Sequence, residues 1–364
     1  MIDNALLRSD PDLIRRTAEQ RGVDVDVDRL IEVEAQLRQA MSRSTTLQGQ
    51  QRRLAMRGPQ ADPAAAQAGQ EELRAVTDQV RALQPLRDEL WERVPNLLPA
   101  DTPAGADAGG NVELRRVGDP APPGEARRHG EVGKSLGILA PDSSDSSDSS
   151  GQSGVRWLGD GARLAWAVFS HAQSVLQARG FTPMLAQPGS REEPIGYYGD
   201  QIVDAARLPI RVSMFSSYPV HTVRHGVLCR PEDSERWLDE CQRNVEEILR
   251  GLELPYRVVR VCAGALQTPE YKAYHTETWF PGAGSYQQTH SAANQTDYLA
   301  RRLKIRYLDR GRVAQPHTLS ATGGTDRAVL AILENHVQPD GSVRIPAALR
   351  AALGGQELIG PPSA

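Results

Sequence analysis

Two stretches of this chain carry apolar residues in the 3-4 spacing of a coiled-coil seam, and they constrain its fold more than any other feature. The first seam consists of Leu30, Val33, Leu37, Ala40, Ser44, Leu47, Gln51 and Leu54, and the second of Leu73, Val76, Val80, Leu83, Leu86 or Arg87, and Leu90. Between them, Gly58-Pro59 and Asp62-Pro63 interrupt any helix. Two seamed helices joined by a short break predict an antiparallel helical hairpin.

This hairpin is too thin to bury a core of its own, so we expect it to project from a larger body as an arm. Within its second helix, Pro85 removes a backbone donor and clashes with the preceding turn, so it should kink or divide that helix. Arginines are frequent at the outward positions: Arg38, Arg43, Arg52, Arg53, Arg57, Arg74, Arg81 and Arg93. The charge pattern alone favours a solvated coiled-coil face over an RNA-binding one.

The overall composition is that of a globular protein without a general affinity for nucleic acid. The chain has 364 residues, 39% of them apolar, and a net charge of -4, so phosphate contacts would need a local basic patch. Cys229, Cys241 and Cys262 lack paired C-x-x-C spacing and fit neither a disulfide framework nor a zinc site. Because the N-terminus has no signal-peptide core and no run of 18 apolar residues occurs, we expect a cytoplasmic protein that does not enter a membrane.

The composition divides the chain into three parts. Residues 1–100 contain the arm, and residues 155–364 have the mixed composition of a folded domain. Between them, residues 101–130 are rich in Gly, Pro and Ala, and residues 142–150 read DSSDSSDSS. A segment of this kind buries too little apolar surface to order itself, so residues 101–154 are predicted to be a linker.

The third part mixes helices and short strands without a repeating β-α period. The predicted helices are Ala162–Arg179, Ser234–Leu252 and Thr325–Asn335, and the predicted extended runs are Tyr256–Cys262, Thr276–Phe280 and Lys304–Tyr307. This order indicates an antiparallel α+β domain. No glycine-rich phosphate loop of the Walker or Rossmann type follows any of these runs.

Several long segments resemble bacterial seryl-tRNA synthetase, a class II aminoacyl-tRNA synthetase, in the order in which that family has them. They are MIDNALLRSDPDLIRR at the N-terminus, VPNLLPADTPAG at Val94–Gly105, NVELRRVGDP at Asn111–Pro120, HGEVGKSLGIL at His129–Leu139, GDGARL at Gly159–Leu164, and RAVLAILENHVQPDGSVRIPAALRAALGG at Arg327–Gly355. The last segment resembles the third class II motif and the helix and tail that follow it. Together with the arm, these segments cover most of the chain.

The resemblance implies a class II fold, in which helices flank an antiparallel sheet and an N-terminal antiparallel coiled-coil arm precedes it. It implies a homodimer formed through the first motif, here GFTPMLAQ at Gly180–Gln187. It also implies that the arm lies against the long variable limb of tRNA-Ser and recognises shape and backbone. The arm arginines then become candidate tRNA-binding residues: Arg38, Arg43, Arg52, Arg53, Arg74 and Arg81.

Part of the family's serine-activating site has counterparts here. Arg327 matches the third-motif arginine that contacts the terminal phosphate of ATP, and Thr322 matches a threonine of the serine pocket, although one residue is missing between them. An arginine in a first helical turn and a helix-entry threonine are simpler explanations of the same residues. Glu277 matches the glutamate of the family's Asp-x-Glu-x-Trp strand, whose aspartate is His275 here, and Ser291 matches a serine on the metal and ribose side of ATP.

Other parts of that site are replaced or missing. Gln288 stands where the family has a glutamate, and a neutral amide is a poorer magnesium ligand than a carboxylate. Ser320 replaces an asparagine before the pocket threonine, and Arg224 falls on the glutamate that holds the serine ammonium group, which a cation would repel. The interval from Arg211 to Pro231 lacks the motif 2 arginine and glutamate. The Thr-Ala-Glu segment that closes over serine is absent between residues 187 and 208.

Four histidines occur in the segments that would line this altered pocket: His221, His225, His275 and His290. A satisfied surface or strand histidine is the commoner outcome for each, and one or two of them are candidates for a general base. Our candidate catalytic residues are Arg327, Glu277 and His290. Our candidate substrate-binding residues are Thr322, Ser291, Ser320 and Gln288.

Three hypotheses follow from this pattern of loss and retention. The first is a relative that binds tRNA-Ser or seryl-tRNA without activating serine. The second is a transferase that passes the seryl group of pre-made seryl-tRNA to a small acceptor, which requires no ATP, magnesium or amino-acid gate. The third is a divergent but active serine–tRNA ligase, and only this one needs ATP and magnesium as cofactors. The missing groups favour the first two, because losing a single electrostatic donor commonly costs about 10²-fold in rate or more.

Overall fold

The computed structural model describes residues 1–56, 63–122, 127–140, 155–185, 193–216 and 221–361. These residues form two compact units that divide between Leu97 and Leu98. The first unit consists of helices α1 (Asn4–Ser9), α2 (Pro11–Gln20), α3 (Val27–Met56) and α4 (Pro63–Glu92). The second unit contains all of the strands.

Helices α3 and α4 form the predicted antiparallel hairpin. Side chains pair between the helices in opposite sequence order: Glu34 with Arg87, Arg43 with Glu72, and Gln51 with the carbonyl of Ala66. The seam residues Leu30, Val33, Leu37, Ala40 and Leu47 are buried, as the 3-4 spacing predicts. The break at residues 57–62 lies outside the described residues.

Pro85 does not divide the second helix, since α4 runs unbroken from Pro63 to Glu92. The prediction of a division was wrong because it considered the backbone alone. Pro85 is exposed, so water can hydrogen-bond the carbonyl that its ring leaves without a donor. The turns around it are also held against α3, since the Nε of Arg87 lies 2.9 Å from a carboxylate oxygen of Glu34.

The second unit is built on an eight-stranded sheet in the order β1-β6-β7-β8-β11-β5-β4-β2. In that order the strands are Val112–Val117, Tyr256–Arg260, Lys272–Phe280, Ser285–Asn294, His317–Thr325, Thr222–Cys229, Ile210–Ser216 and Thr182–Leu185. Every neighbouring pair is antiparallel except β2 and β4. The predicted class II arrangement, an antiparallel sheet flanked by helices, is therefore confirmed.

Smaller elements complete this unit. One small sheet contains β3 (Ile202–Asp204), β9 (Arg306–Asp309) and β10 (Arg312–Ala314), and a second contains β12 (Val343–Arg344) and β13 (Leu358–Ile359). The remaining helices are α5 (His129–Ser135), α6 (Gly159–Ala178), α7 (Ser234–Gly251), α8 (Tyr298–Arg302), α9 (Asp326–Asn335) and α10 (Ala347–Arg350).

Helices α6, α7 and α9 cover one face of the large sheet and form the main core with it. Leu164, Leu238 and Ile332 from these helices are fully buried, and they share a core with Val227 and Leu319 of the sheet. The three cysteines are free and buried, as expected of core thiols. Of the described helices, none is long and apolar enough to cross a membrane.

The predicted linker at residues 101–154 contains parts of the folded second unit. Strand β1 pairs with β6 at one edge of the large sheet, and Val132 of α5 is buried in the main core. Composition averaged over the whole segment conceals these short elements, because neither β1 nor α5 exceeds seven residues. The DSSDSSDSS run lies outside the described residues.

Strand β2 forms the other edge of the large sheet and leaves an apolar residue uncovered. Leu185 on this strand is 83% exposed. Residues 180–185 of the proposed dimer motif are described, and residues 186 and 187 lie outside the described part of the chain. A two-fold partner would cover an apolar edge strand of this kind.

We predict that the protein is a dimer at micromolar concentration and that Leu185→Asp shifts it toward the monomer, because a buried charge would oppose the apolar contact. Multi-angle light scattering would measure the mass. Leu308→Asp is the matched control, since Leu308 is also exposed but lies on the small sheet, and it should leave the mass unchanged. A monomeric wild type would contradict the prediction.

Candidate functional site

A row of polar side chains crosses four neighbouring strands of the large sheet. Arg224 of β5 lies directly opposite Thr322 of β11, and Ser291 of β8 lies directly opposite His275 of β7. The two pairs meet where the hydroxyl oxygens of Ser291 and Thr322 lie 3.4 Å apart. We refer to Arg224, Thr322, Ser291 and His275 as the polar row.

The polar row lies on the sheet face that the core helices do not cover. Successive residues of a strand point to opposite faces. The neighbours Val223, Ala321 and Ala292 belong to the core formed with α6, α7 and α9. Arg224, Thr322 and Ser291 therefore point the other way, and each is only partly buried. The structure thus brings together two predicted substrate-binding residues, Thr322 and Ser291.

A carboxylate that the sequence analysis missed lies at one end of the polar row. Glu193 precedes a short 3-10 helix at Pro194–Tyr198, and its Oε1 accepts a hydrogen bond from Nη1 of Arg224 at 2.9 Å. Its Oε2 accepts a hydrogen bond from the hydroxyl of Ser320 at 2.8 Å. The positive charge of Arg224 is therefore offset within the chain. The sequence signal that could have pointed to this carboxylate was Arg224, because a cation in the middle of a strand usually requires an acidic partner.

Arg327 lies in the first turn of α9 and has only a neutral partner. Its Nη2 donates to the side-chain oxygen of Gln287 at 2.9 Å. Burial lowers the pKa of Arg327, and among the described residues no carboxylate pairs with it. A half-buried guanidinium without a carboxylate is suited to bind an anion such as a phosphate.

Glu277 lies two residues from His275 on β7 and is held in an ion pair. Its carboxylate accepts a hydrogen bond from Nε of Arg257 at 2.6 Å. The guanidinium groups of Arg257 and Arg116 lie 5.0 and 5.1 Å from the ring centre of Tyr286. Gln288 faces Glu277 across β7 and β8 and is exposed. In the described part of the chain, no group of three or more His, Cys, Asp or Glu side chains is placed to hold a metal ion.

The structure places the candidate catalytic residue His290 in the core, away from the polar row. His290 is 1% exposed, and its Nδ1 lies 2.9 Å from the hydroxyl of Thr289. His290 precedes Ser291 in β8 and therefore points to the opposite face of the sheet. His225 is likewise fully buried and faces the ring of Phe181. Burial lowers the pKa of His290 to about 4 and that of His225 to about 3.

The other two histidines lie in different environments. Nδ1 of His221 is 3.3 Å from a carboxylate oxygen of Asp326, which also accepts a hydrogen bond from the indole of Trp157. His275 remains in the polar row, and burial lowers its pKa to about 4, so its imidazole is neutral at pH 7. The four histidines therefore do not form one cluster, although they occur in neighbouring sequence segments.

All six candidate tRNA-binding arginines of the first unit are exposed. Arg43 pairs with Glu72, and Arg81 pairs with Asp78. Arg38, Arg52, Arg53 and Arg74 have no carboxylate partner among the described residues. The distal part of α3 contains no acidic residue from position 35 to position 56, so its cations form a local basic surface on a chain with a net negative charge.

Comparison with known proteins places these features in a family. Residues 1–99 match the seryl-tRNA synthetase N-terminal domain, and residues 210–336 match the tRNA synthetase class II core domain (G, H, P, S and T). The chain is 31% identical to the serine–tRNA ligase of Deinococcus radiodurans over 426 aligned positions, which cover 100% of both chains.

Two solved structures are also similar. The seryl-tRNA synthetase from Pyrococcus horikoshii complexed with ATP matches with a TM-score of 0.82 and 25% identity, covering 100% of both chains. The M. kandleri SerRS in complex with A. aeolicus tRNASec matches with a TM-score of 0.55 and 15% identity, over 81% of this chain and 71% of that one. The second similarity concerns the fold alone.

We predict that the second unit loses stability as the pH falls from about 6.5 towards 4. Buried neutral histidines have a lower pKa in the folded chain than in the unfolded chain, so the unfolded state takes up more protons in this range. His290 should contribute a loss of about 2 kcal/mol between pH 8 and pH 5. Urea unfolding followed by tryptophan fluorescence would measure it.

The matched variant for this prediction is His290→Asn, which keeps a polar atom near Thr289 but cannot be protonated. The variant will be less stable at pH 8, because it leaves a cavity. Its loss between pH 8 and pH 5 should nevertheless be smaller than the wild-type loss by about 2 kcal/mol. An equal pH dependence in the two proteins would contradict the prediction.

Proposed function

The chain belongs to the seryl-tRNA synthetase family, and on that basis we propose that it binds tRNA-Ser or seryl-tRNA without activating serine with ATP. The observation that carries this proposal is that the site lacks free carboxylates at the positions where the activation of serine requires them. Gln288 offers a neutral amide, and the carboxylate of Glu277 opposite it is committed to Arg257. These residues do not fit a magnesium ion, which prefers carboxylate and water oxygens in octahedral geometry.

The surroundings of the polar row support the same conclusion for serine. Arg224 stands where the family places the glutamate for the serine ammonium group. Its positive charge is offset by Glu193, which pairs with Arg224 and Ser320. An ammonium group at this position would lie beside the Arg224 guanidinium, which repels it, and beside a carboxylate whose charge that guanidinium already offsets. Serine binding is therefore disfavoured, though less strongly than by an uncompensated arginine.

The short interval between Arg211 and Pro231 also supports a loss of ATP binding. Strands β4 and β5 are antiparallel neighbours, and only residues 217–221 connect the end of one to the start of the other. The match to the Deinococcus ligase extends over 426 aligned positions, whereas this chain has 364 residues. We interpret the chain as a shortened member of the family, in which the short connection between β4 and β5 replaces the longer ATP-binding segment.

The arm provides the retained function in this proposal. The unpaired arginines of α3 and α4 are available to contact phosphates, because no carboxylate among the described residues neutralises them. Arg327 of the second unit is a further cation that pairs with no acidic side chain in the described part of the chain, and it is suited to a phosphate near the 3′ end of the tRNA. Binding of this kind depends on backbone contacts and is therefore sensitive to salt.

We predict that Arg52→Glu combined with Arg53→Glu weakens binding of tRNA-Ser at least tenfold at 100 mM salt and lowers the salt dependence of binding. Two lost phosphate contacts reduce the slope of log K against log salt by about 2. Fluorescence anisotropy over a salt series would measure both quantities. Deletion of residues 30–90 should abolish binding.

Arg81→Glu is the matched control for this experiment. Arg81 is exposed, like the arginines under test, but it is paired with Asp78 in the same helix turn. This variant should therefore weaken binding less than the double variant. Unchanged affinity in the double variant, or in the deletion, would overturn the role proposed for the arm.

A second candidate function is transfer of the seryl group from pre-made seryl-tRNA to a small nucleophile, and His275 favours it. In this reaction the nucleophile attacks the ester carbonyl carbon, and the bond to the ribose oxygen breaks. His275 takes the proton of the nucleophile and returns it to the ribose oxygen. Burial lowers the pKa of His275 to about 4, so its imidazole is neutral at pH 7 and can accept a proton, although it is a weak base.

We predict that Gln288→Glu does not restore serine-dependent ATP–pyrophosphate exchange, because one carboxylate does not replace the missing motif 2 segment. The variant should show no exchange above the serine-free control. The same proteins would be incubated with pre-charged seryl-tRNA, and loss of the ester beyond the protein-free rate would favour the transferase. Exchange that appears in the variant alone would assign the defect to Gln288. Exchange in the wild type would restore the ligase hypothesis.

A further inference from the structure

We propose that Arg224 and Ser320 form a carboxylate-binding subsite, which Glu193 of the same chain occupies. The two donors bind different oxygens of one carboxylate, at 2.9 Å from Nη1 of Arg224 and 2.8 Å from the hydroxyl of Ser320. Two donors converging on one carboxylate are typical of carboxylate recognition. Glu193 is therefore an internal ligand for a subsite that faces the polar row.

The two donors of the subsite lie on paired strands, while its occupant lies outside the sheet. Ser320 and Arg224 lie on β11 and β5, which pair directly in the middle of the large sheet. Glu193 precedes the 3-10 helix Pro194–Tyr198 and belongs to no strand. A ligand can therefore displace the Glu193 side chain without breaking the sheet that holds the two donors.

The occupied pair is also accessible from solvent. The side chain of Arg224 is 36% exposed and that of Glu193 is 28% exposed. Ion pairs with this exposure are weak, because water and salt screen them. A free carboxylate can therefore compete with Glu193 for the two donors.

The neighbouring residues define the class of ligand. Thr322 lies opposite Arg224, and its hydroxyl is 3.4 Å from that of Ser291. A carboxylate at Arg224 and Ser320 would therefore have two hydroxyl groups beside it. This arrangement favours a small hydroxy-carboxylate, and it disfavours an ammonium ion without a carboxylate.

The inference rests on the proposed function to the extent that both assign an altered charge preference to this pocket. It extends that function by naming Glu193 as a built-in competitor. A ligand that binds only when the competitor has left binds more weakly by the fraction of time that the subsite is free. Removing the carboxylate of Glu193 should therefore tighten the binding of a free carboxylate by about five- to tenfold.

The test measures binding of three small probes to the full-length protein by isothermal titration calorimetry. The three probes differ in their charged groups. Glycerate has a carboxylate alone, serinamide has an ammonium group alone, and serine has both. Glu193→Gln and Glu193→Ala should bind glycerate about five- to tenfold more tightly than the wild type. Serinamide should bind none of the proteins.

Two further variants serve as controls. Glu247→Gln removes a comparably exposed glutamate that pairs with Arg179 on the helix-covered side, and it should not change glycerate affinity. Adding Arg224→Gln to Glu193→Gln should abolish the gain, because it removes a donor. Thermal unfolding of each variant checks that the second unit remains folded. If Glu193→Ala is destabilised, the wild type is compared with Glu193→Gln alone.

Two results would overturn the inference. The first is unchanged glycerate affinity in both folded Glu193 variants, which would make the contact structural only. The second is serinamide binding by the wild type that Glu193→Gln abolishes, which would make Glu193 an ammonium acceptor. Neither result depends on ATP–pyrophosphate exchange, so a failure of this inference is distinguishable from a failure of the proposed function.

Discussion

The antiparallel pairing of β5, β11 and β8 decides which side chains of the second unit act together. This register places Arg224 opposite Thr322 and brings the hydroxyl of Thr322 to 3.4 Å from that of Ser291. The same alternation turns His290 into the core, although it is the sequence neighbour of Ser291. A shift of one residue would exchange these roles, because it would move each side chain to the other face of the sheet.

The ion pairs on this sheet show which charged side chains already have an oppositely charged partner and which could still bind a ligand. Arg224 and Glu277 each have an oppositely charged partner in the chain, Glu193 and Arg257 respectively. Arg327 has a neutral partner, and its lowered pKa records the cost of burying a cation without an acid beside it. The chain belongs to the seryl-tRNA synthetase family. In our proposal Arg327 is the phosphate-binding cation of the second unit, and no cluster of acidic groups among the described residues is placed to hold magnesium.

The sequence predicted the arm well, because the 3-4 spacing that begins at Leu30 is a local signal that repeats over many turns. It also predicted that Thr322 and Ser291 share one site, although only through a family resemblance. It did not predict the partner of Arg224, because Glu193 is 31 residues away in the chain and contributes no periodic pattern. It misplaced β1 and α5 because these elements are short and lie among Gly, Pro and Ala residues. Pro85 was predicted to kink or divide the second helix, and the division does not occur, since α4 is continuous from Pro63 to Glu92.

The central claim is that this protein does not make seryl-adenylate, and a single-turnover experiment tests it most directly. The wild-type protein, in excess over ATP labelled at the α-phosphate, would be mixed with magnesium, serine and pyrophosphatase, and the products separated by chromatography. Our account predicts no labelled adenylate above the control without serine, in a preparation that still binds tRNA-Ser. Formation of seryl-adenylate on a substantial fraction of the ATP would contradict it.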